Sequence, residues 1–299
     1  MISIALAAYN GSKYIREQLD SILAQTYQDF ELIICDDCST DSTWEILEEY
    51  ATKDNRIKIF ENKSNLGFKK NFEKAISLCS GEYIALSDQD DIWYDNHLEL
   101  LLCNIGDNMI ACGDADLIDS EGKSMNMSLS WQESFDYQPK NNLEFAYTIM
   151  YFRSPIQGAS MIMKRDFLHL ALPIPIDMEY HDAWFAYLGC FYGGIIYFKI
   201  PITQYRRHNA NVTGNKIERR KKLKTFLRHI KTVCHKNKGY AALKILERVD
   251  ILTIQQRKFL NEIVLRHNRK KNIFGRICNA FFELFHYKLI YSCDSKHWL

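Results

Sequence analysis

The chain has 299 residues, of which 47% are hydrophobic and 25% are charged, and its formal net charge is +1. The length allows about two domains, and the hydrophobic content is sufficient to bury a real core. No stretch reaches the roughly 18 uncharged apolar residues that a membrane-spanning helix requires, which excludes a helix of that kind.

The first hundred residues alternate between apolar segments, which predict strands, and segments with helical spacing. Each apolar segment ends in polar residues, and apolar residues three to four positions apart predict the intervening helices. Alternation of this length indicates right-handed βαβ units and a parallel sheet, and therefore an α/β fold. The predicted strands cover residues 2–9, 30–35, 57–60 and 83–86, and the predicted helices cover residues 14–23, 44–50 and 72–78.

Polar residues at the carboxyl ends of three predicted strands are the candidate binding residues. Tyr9 ends the first strand, Asp36 and Asp37 follow the second, and Asp88 and Asp90 follow the last. Ligands of open parallel sheets bind beyond the carboxyl ends of the strands. We therefore expect these side chains to converge on one crevice.

The acidic cluster Asp88, Asp90 and Asp91 has two interpretations when the residues are considered alone. A divalent cation such as Mg²⁺ would relieve the repulsion of three carboxylates, because it takes carboxylate oxygens and is often shared with the phosphates of a substrate. A solvated turn followed by a helix N-cap at Asp91 is the alternative, since Asp is common at both positions.

Several motifs, in their order along the chain, resemble family 2 glycosyltransferases. The resemblance covers about residues 1–214 and is closest to bacterial rhamnosyltransferase-like members. It implies the GT-A nucleotide-diphospho-sugar transferase fold, a mostly parallel central sheet flanked by helices, and an inverting, metal-dependent reaction. The motifs are Ala7-Ala8-Tyr9-Asn10, Asp36-Asp37-x-Ser39-Thr40-Asp41, Ser87-Asp88-Gln89-Asp90-Asp91-Ile92-Trp93, Tyr180-His181-Asp182-x-Trp184 and Tyr205-Arg206-Arg207-His208-x-x-Asn211-Val212-x-Gly214.

The resemblance implies that four residues bind the donor nucleotide: Ala7, Tyr9, Asp37 and Asp88. Tyr9 would stack on a pyrimidine, and Asp37 would accept the hydrogen bond of the base N3–H, which uracil and thymine both carry. Asp88 would reach the ribose or the water shell of the metal. Asp36 would support the turn or the ribose. The alternative for Asp36 and Asp37 is an ordinary turn with helix capping.

The resemblance also implies a metal ligand and a general base. Asp90 would hold Mn²⁺ or Mg²⁺, which neutralises charge on the departing nucleoside diphosphate. Asp182 would deprotonate the hydroxyl of the acceptor, and its apolar neighbours would raise its pKa toward the working range. A helix N-cap is the alternative role for Asp182, and Glu179 is the nearest competitor as the base.

A further set of residues is assigned to the acceptor or to the diphosphate: Gly158, His181, Arg206 and His208. Gly158 would let the acceptor approach the backbone. Gln157 departs from the Thr-Gly pair that is frequent in the family, which leaves acceptor specificity open. Arg206 or His208 would contact the diphosphate or complete the shell of the metal, and the loop that carries them is equally consistent with a solvated basic segment.

The predicted function is the transfer of a sugar, with rhamnose favoured, from a dTDP- or UDP-sugar to a hydroxyl group. The acceptor would be a cell-surface glycan or a polyprenyl-diphosphate-linked precursor. The alternatives are a UDP-hexose or HexNAc transferase of the same fold, a nucleotidyltransferase, and a non-catalytic protein that binds nucleotide sugars.

The near-neutral net charge of the whole chain conceals a charge asymmetry, which predicts that the chain has two distinct parts. Residues 1–214, the predicted catalytic domain, carry a net charge of −14, and residues 215–299 carry +15. This basic, aromatic-rich region has helical spacing, with apolar stripes at 223–233 and 273–291. Such helices favour peripheral contact with an anionic membrane, although packing on the catalytic domain is the alternative. No nucleic-acid-binding signature accompanies the charge, so no nucleic acid is expected.

The nine cysteines form no disulfide framework, which suits a reducing compartment. Cys35 and Cys38 have the C-x-x-C spacing, but the two acids between them would raise thiol pKa values, opposite to a redox site. The first residues lack the features of a signal peptide. We therefore expect a cytoplasmic protein at the inner face of the cell membrane.

Overall fold

The computed structural model describes residues 1–132, 135, 139–151, 154–209, 211 and 236–269. Its contacts divide the chain into two compact units, Met1–Arg220 and Lys221–Leu299. This division and the predicted boundary after residue 214 both fall among residues 212–235, which are outside the described residues. The exact boundary therefore stays a prediction.

Within the described residues, nine strands of the first unit form one mixed sheet. They are β1 (Ile2–Ala8), β2 (Phe30–Asp36), β3 (Ile57–Glu61), β4 (Tyr83–Asp88), β5 (Ile92–Trp93), β6 (Ile110–Ile118), β7 (Ser124–Ser128), β8 (Met161–Lys164) and β9 (Ile195–Arg206). The strand order across the sheet is β3-β2-β1-β4-β8-β6-β9-β5, and β7 pairs with β6. Pairs among β1, β2, β3 and β4 are parallel, as predicted from the sequence.

The second half of the sheet departs from the parallel pattern. Strand β8 pairs antiparallel with both β4 and β6, and it thereby joins the first four strands to the rest of the sheet. Strand β9 runs parallel to β6 and antiparallel to the short strand β5. The end of β9 consequently reaches the segment that follows β4.

The described helices of the first unit cover both faces of the sheet. They are α1 (Ile15–Leu23), α2 (Thr43–Lys53), α3 (Phe68–Leu78), α4 (His97–Ile105), α5 (Leu129–Gln132), α6 (Asn142–Tyr151), α7 (Leu168–Ala171) and α8 (His181–Phe191), and 3₁₀ turns lie at Gly158–Ser160 and Arg165–Phe167. Alternate residues of β1 are buried together with residues of α1, α2 and α4 in one hydrophobic core cluster. Because successive side chains of a strand point to opposite faces, the contacts of α3 with β1 and β2 cover the other face.

The second unit contains two described helices, α9 (Lys236–Arg248) and α10 (Ile254–Arg269). They pack against each other through buried Ala242, Ile245 and Leu260. The predicted apolar stripes at 223–233 and 273–291 lie outside the described residues. In the parts of the chain that the structure describes, no helix is both long and apolar enough to cross a membrane.

Candidate active site

The register of the central strands brings the predicted site residues to one edge of the sheet. Ala7 of β1 lies opposite Asp88 of β4, and Ala8 lies opposite Asp36 of β2. The backbone N–H of Asp37 donates to the carbonyl of Ala8 at 2.8 Å. The three strands therefore end at the same level, and their last residues form one edge of the sheet, which we call the crevice.

Tyr9 presents an exposed ring on a firmly held backbone. The Tyr9 side chain is 46% exposed. Its backbone N–H donates to Oε1 of Gln89 at 2.8 Å, and its carbonyl accepts from Nε2 of Gln89, also at 2.8 Å. The ring is thus free to stack on a planar ligand.

Asp36 and Asp37 are both buried, and their carboxylates organise the surrounding loops. Asp36 accepts hydrogen bonds from the backbone and the hydroxyl of Ser39. Oδ1 of Asp37 accepts from the side chain of Asn62 at 2.7 Å and from the Leu66 N–H, and Oδ2 accepts from the Gly67 N–H, both at 2.8 Å. A carboxylate has about four acceptor positions, so Oδ2 of Asp37 retains one position for a further donor.

Asp88 lies in the crevice between two other carboxylates. Burial raises the pKa of Asp88 to about 8, and the negative charges of Asp90 and Asp182 add to this effect. The charge of Asp182 on α8 therefore acts on Asp88 at the end of β4. The neighbouring carboxylates disfavour the ionised form of Asp88, and a bound cation would favour it.

Asp91 is fully buried and does not cap a helix. Its Oδ1 accepts from the backbone N–H of Arg206 at 3.0 Å, and its Oδ2 accepts from the side chain of Gln157 at 3.2 Å. Helix α4 begins six residues later with Asn96 at its N-cap. The N-cap role for Asp91 is therefore wrong, and its carboxylate instead joins the segment after β4 to the end of β9.

Arg206 is completely buried beneath the crevice. Its Nε donates to the carbonyl of Asp90 and its Nη2 donates to Glu17, both at 2.8 Å. The guanidinium also lies 4.7 Å from the ring centre of Tyr14. These contacts differ from the expected contact with a ligand, because the guanidinium is occupied by the protein and removed from solvent.

His208 reaches the acidic cluster from the end of β9. Its Nε2 lies 2.7 Å from Oδ2 of Asp90, and its ring lies 4.9 Å from the ring of Tyr14. Tyr14 precedes α1 and contacts both His208 and Arg206. The sequence singled out Asp90 and His208 separately, and the structure brings them into contact.

Asp182 and His181 open helix α8 on the other side of Asp88. The N-cap position is Tyr180, so Asp182 lies in the first turn and is not the N-cap; its Oδ1 accepts from the Ala183 N–H at 2.6 Å. His181 is 6% exposed and stacks on Phe72, with ring centres 4.1 Å apart. Neither ring nitrogen of His181 has a hydrogen-bond partner among the described residues, and burial lowers its pKa.

Gly158 lies directly against this helix start. A Cβ atom at Gly158 would lie 3.0 Å from Nε2 of His181 and 3.7 Å from Cβ of Asp182. Glycine therefore lets the backbone approach both side chains closely. The competitor Glu179 is exposed, whereas Asp182 raises the pKa of Asp88 within the crevice.

The oxygen and nitrogen donors of the crevice suit a divalent cation that is shared with a substrate. Within the described residues, no group of three His, Cys, Asp or Glu side chains is arranged to hold a metal ion alone. Mg²⁺ is usually held by one or two carboxylates together with substrate phosphates and water, not by a complete protein cage. The Asp90 carboxylate beside the His208 imidazole fits such a shared site.

Sequence reasoning missed two residues that organise the site, Gln89 and Tyr14. Gln89 lies inside the acidic motif but carries no charge, and Tyr14 lies on the apolar stripe of a predicted helix. Neither position gave a signal of its own, since both act through contacts between distant segments. Their role is visible only from their hydrogen bonds and ring contacts.

A mixed sheet of this order, with an acidic crevice at the carboxyl ends of its parallel strands, defines the GT-A glycosyltransferase fold and confirms the predicted fold class. The sequence model of Glycosyl transferase family 2 matches residues 3–167, and the chain belongs to that family.

Relatives and solved structures agree with this family. EpsH of Bacillus subtilis (strain 168) is 30% identical over 221 residues, which are 71% of this chain and 62% of EpsH. The Escherichia coli UDP-Glc:alpha-D-GlcNAc-diphosphoundecaprenol beta-1,3-glucosyltransferase WfaP is 42% identical over 93 residues, 31% of this chain and 36% of WfaP. The chain thus spans less than two thirds of either relative. S. aureus TarS 1–349 in complex with UDP-GlcNAc has the same fold, with a TM-score of 0.62, 20% identity, and coverage of 93% of this chain and 79% of that 1–349 chain.

Proposed function

We propose that the protein is an inverting glycosyltransferase that moves a sugar from a pyrimidine nucleotide-diphospho-sugar to an acceptor hydroxyl. One observation carries this proposal. The edge where β1 and β4 end carries an exposed aromatic ring at Tyr9 and a carboxylate paired with histidine at Asp90, and the charge of Asp182 acts on Asp88 there. The aromatic ring matches the nucleobase of the donor, the carboxylate paired with histidine matches its diphosphate, and Asp182 matches the acceptor hydroxyl.

The nucleoside end of the donor is assigned to the ends of β1, β2 and β4. The ring of Tyr9 stacks on the base, and the remaining acceptor position of Asp37 Oδ2 takes the base N3–H. Ala7 and Asp88 lie opposite each other in the sheet and form the floor below the ribose. Because Asp37 is nearly inaccessible in this structure, its contact with a base requires the loop at residues 62–67 to adjust.

The diphosphate end is assigned to Asp90 and His208, which would hold Mn²⁺ or Mg²⁺ together with the phosphates. A cation bound there neutralises charge on the leaving nucleoside diphosphate. Arg206 supports this end without touching the ligand, because it fixes the carbonyl of Asp90 from below. Arg206 thus takes a positioning role here in place of direct diphosphate binding.

Asp182 is assigned as the general base. The acceptor hydroxyl transfers its proton to the Asp182 carboxylate while its oxygen bonds to the anomeric carbon. The bond from that carbon to the diphosphate oxygen breaks, and the nucleoside diphosphate leaves with the electron pair. The attack from the side opposite the leaving group inverts the anomeric configuration. The charge of Asp182 acts on Asp88, which neighbours the proposed cation ligand Asp90, and this proximity supports the assignment.

Gly158 and His181 are assigned to the acceptor. Glycine at position 158 places no side chain of its own beside His181 and Asp182. The unpartnered nitrogens of His181 are able to bond a sugar hydroxyl after a small rotation of the ring.

One relative supports the proposed class of acceptor. WfaP acts, by its name, on a sugar attached to diphosphoundecaprenol. A cell-surface glycan or a polyprenyl-diphosphate-linked precursor is therefore the proposed acceptor here, with the protein at the inner face of the cell membrane. Rhamnose is the sugar favoured by the motifs, and TarS in complex with UDP-GlcNAc makes UDP-HexNAc the principal competitor. Membrane contact through residues 215–299 remains part of the proposal, on charge alone.

Thermal shifts with Mn²⁺ and a panel of dTDP-, UDP- and GDP-sugars test the donor. A donor at a hundred times its dissociation constant adds about 2.7 kcal/mol of stability. The expected result is a shift with one pyrimidine donor that needs Mn²⁺ and disappears in Asp90→Ala. The same donor should then be transferred in a product assay, and Asp182→Asn should keep the shift and lose turnover. Stabilisation by no nucleotide sugar, or full turnover in Asp182→Asn, would contradict the proposal.

A further inference from the structure

The side-chain amide of Gln89 forms a two-point hydrogen bond with the backbone of Tyr9. Oε1 of Gln89 accepts from the Tyr9 N–H and Nε2 donates to the Tyr9 carbonyl, both at 2.8 Å. Strand β1 pairs with β4 only as far as Ala7 and Asp88. The amide therefore replaces the next backbone pair of the ladder and extends the connection between the two strands.

The replacement of a backbone pair by the Gln89 side chain affects the direction of the main chain at the end of β4. If the backbone ladder continued, the residues after Asp88 would stay alongside β1. The Gln89 side chain bonds Tyr9 in place of those backbone residues, so the main chain after Asp88 turns away from β1. Asp90 then meets His208 and Asp91 meets the backbone of Arg206.

Gly11 makes room for this amide. A Cβ atom at Gly11 would lie 2.1 Å from Oε1 of Gln89 and 2.5 Å from its Cδ. Any larger residue at Gly11 would therefore displace the amide from the Tyr9 backbone. The turn after β1 and the acidic motif after β4 fit together at this point.

We propose that Gln89 is a positioning residue that fixes the aromatic platform of Tyr9 relative to the acidic motif and thereby sets affinity for the nucleoside part of the donor. The Tyr9 ring is nearly half exposed, so packing against the protein does little to orient it. Its backbone is the part that the protein holds, and Gln89 holds both polar groups of that backbone. The inference rests on the proposed role of Tyr9 in stacking on the base.

The experiment measures the contribution of the nucleobase to binding separately from that of the diphosphate. Binding of UDP or dTDP, whichever binds the wild type more tightly, is compared with binding of Mn²⁺-pyrophosphate by calorimetry. Gln89→Met keeps the size of the side chain and removes both hydrogen bonds. We expect it to weaken the nucleotide about tenfold, within the range of an aromatic–base stacking contact, and to leave pyrophosphate affinity within about twofold of wild type.

Two controls accompany this variant. Gln28→Met changes a glutamine that bonds Arg56 before β2, at the opposite end of the sheet, and should change neither affinity. Tyr9→Leu should weaken the nucleotide as Gln89→Met does, and the double variant should lose little more, because both changes remove the same contact. Thermal unfolding of every variant confirms that the fold is intact.

The outcomes distinguish this inference from the proposed function. If Tyr9→Leu leaves nucleotide affinity unchanged, the stacking role of Tyr9 is wrong and the inference falls with it. If Tyr9→Leu weakens the nucleotide but Gln89→Met does not, only the inference is overturned. An equal loss of nucleotide and pyrophosphate affinity in Gln89→Met would also overturn it, since that pattern indicates a collapse of the whole crevice.

Discussion

Oδ2 of Asp90 lies 2.7 Å from Nε2 of His208, although the two residues are 118 positions apart in the sequence. Asp90 follows the last of the central parallel strands, and His208 follows β9 in the second half of the sheet. Their contact joins the parallel half of the sheet to the half that carries the end of β9. The proposed cation site therefore exists only when both halves are assembled.

Tyr14 should support this contact through its ring. The ring lies 4.9 Å from that of His208 and 4.7 Å from the guanidinium of Arg206. Tyr14→Leu removes this platform, and we expect Mn²⁺-pyrophosphate to bind about tenfold more weakly, the usual cost of losing a partner of a metal ligand. Tyr14→Phe keeps the ring and should bind as wild type in the same calorimetric titration.

Tyr50 provides the matched control for Tyr14. It also lies beside charged side chains, Arg16 and Lys53, but on α2 and away from the crevice. Tyr50→Leu should leave pyrophosphate affinity unchanged. Equal affinity of Tyr14→Leu and wild type would show that His208 does not depend on the ring.

Arg206 should contribute strongly to stability, whereas an exposed arginine should not. Arg206→Met leaves the partly buried carbonyl of Asp90 without its donor, and we expect a loss of about 2 kcal/mol in the free energy of unfolding. Arg16 pairs with Glu49 at 2.6 Å, but both side chains are at least 40% exposed. Arg16→Met should cost less than about 1 kcal/mol. Urea unfolding measures both, and similar losses would contradict the structural role of Arg206.

Gly11→Ala offers an independent route to the Gln89 contact. The new methyl group would occupy the position of the Gln89 amide, and the flexible side chain should move away and release Tyr9. We expect nucleotide affinity to fall about as far as in Gln89→Met, roughly tenfold. Combining Gly11→Ala with Gln89→Met should add little further loss, since the amide is already absent. Additive losses in the titration would mean that Gly11 acts through another contact.

His97 should make stability depend on pH below neutrality. It is fully buried and stacks on Trp93 at 3.8 Å, and burial lowers its pKa to about 3. The imidazole of an unfolded chain takes up its proton near pH 6.5. Between pH 3 and pH 6.5 the unfolded state binds more protons than the folded state. The contribution of His97 to the free energy of unfolding is therefore complete above pH 6.5. It falls as the pH drops toward 3, by up to about 1.4 kcal/mol per pH unit.

His97→Asn should reduce this slope. Asparagine retains a donor for the carbonyl of Ile202, which Nδ1 of His97 contacts at 3.0 Å. Urea unfolding at pH 7 and pH 5 measures the difference for wild type and variant. His169→Asn, at an exposed position, should keep the wild-type pH dependence. An unchanged slope in His97→Asn would assign the acid sensitivity to other groups.

The α/β architecture was predictable because its signals are local. Apolar runs that end in polar residues marked β1, β2 and β4. The rule that parallel strands bind ligands at their carboxyl ends was enough to predict that Tyr9 and Asp88 share one crevice. The antiparallel insertion of β8 between β4 and β6 was not predicted, since its short apolar run carries no information about its partner strands.

The amino-acid sequence by itself determined the alternation of strands and helices, the position of the acids after the strands, and the membership in Glycosyl transferase family 2. Hydrophobic periodicity and motif order carry this information along the chain. Tertiary structure alone decided that Arg206 is buried, that Gln89 holds the backbone of Tyr9, and that Asp90 meets His208. These contacts join residues at least 80 positions apart, so they depend on strand order and register, which no local pattern encodes.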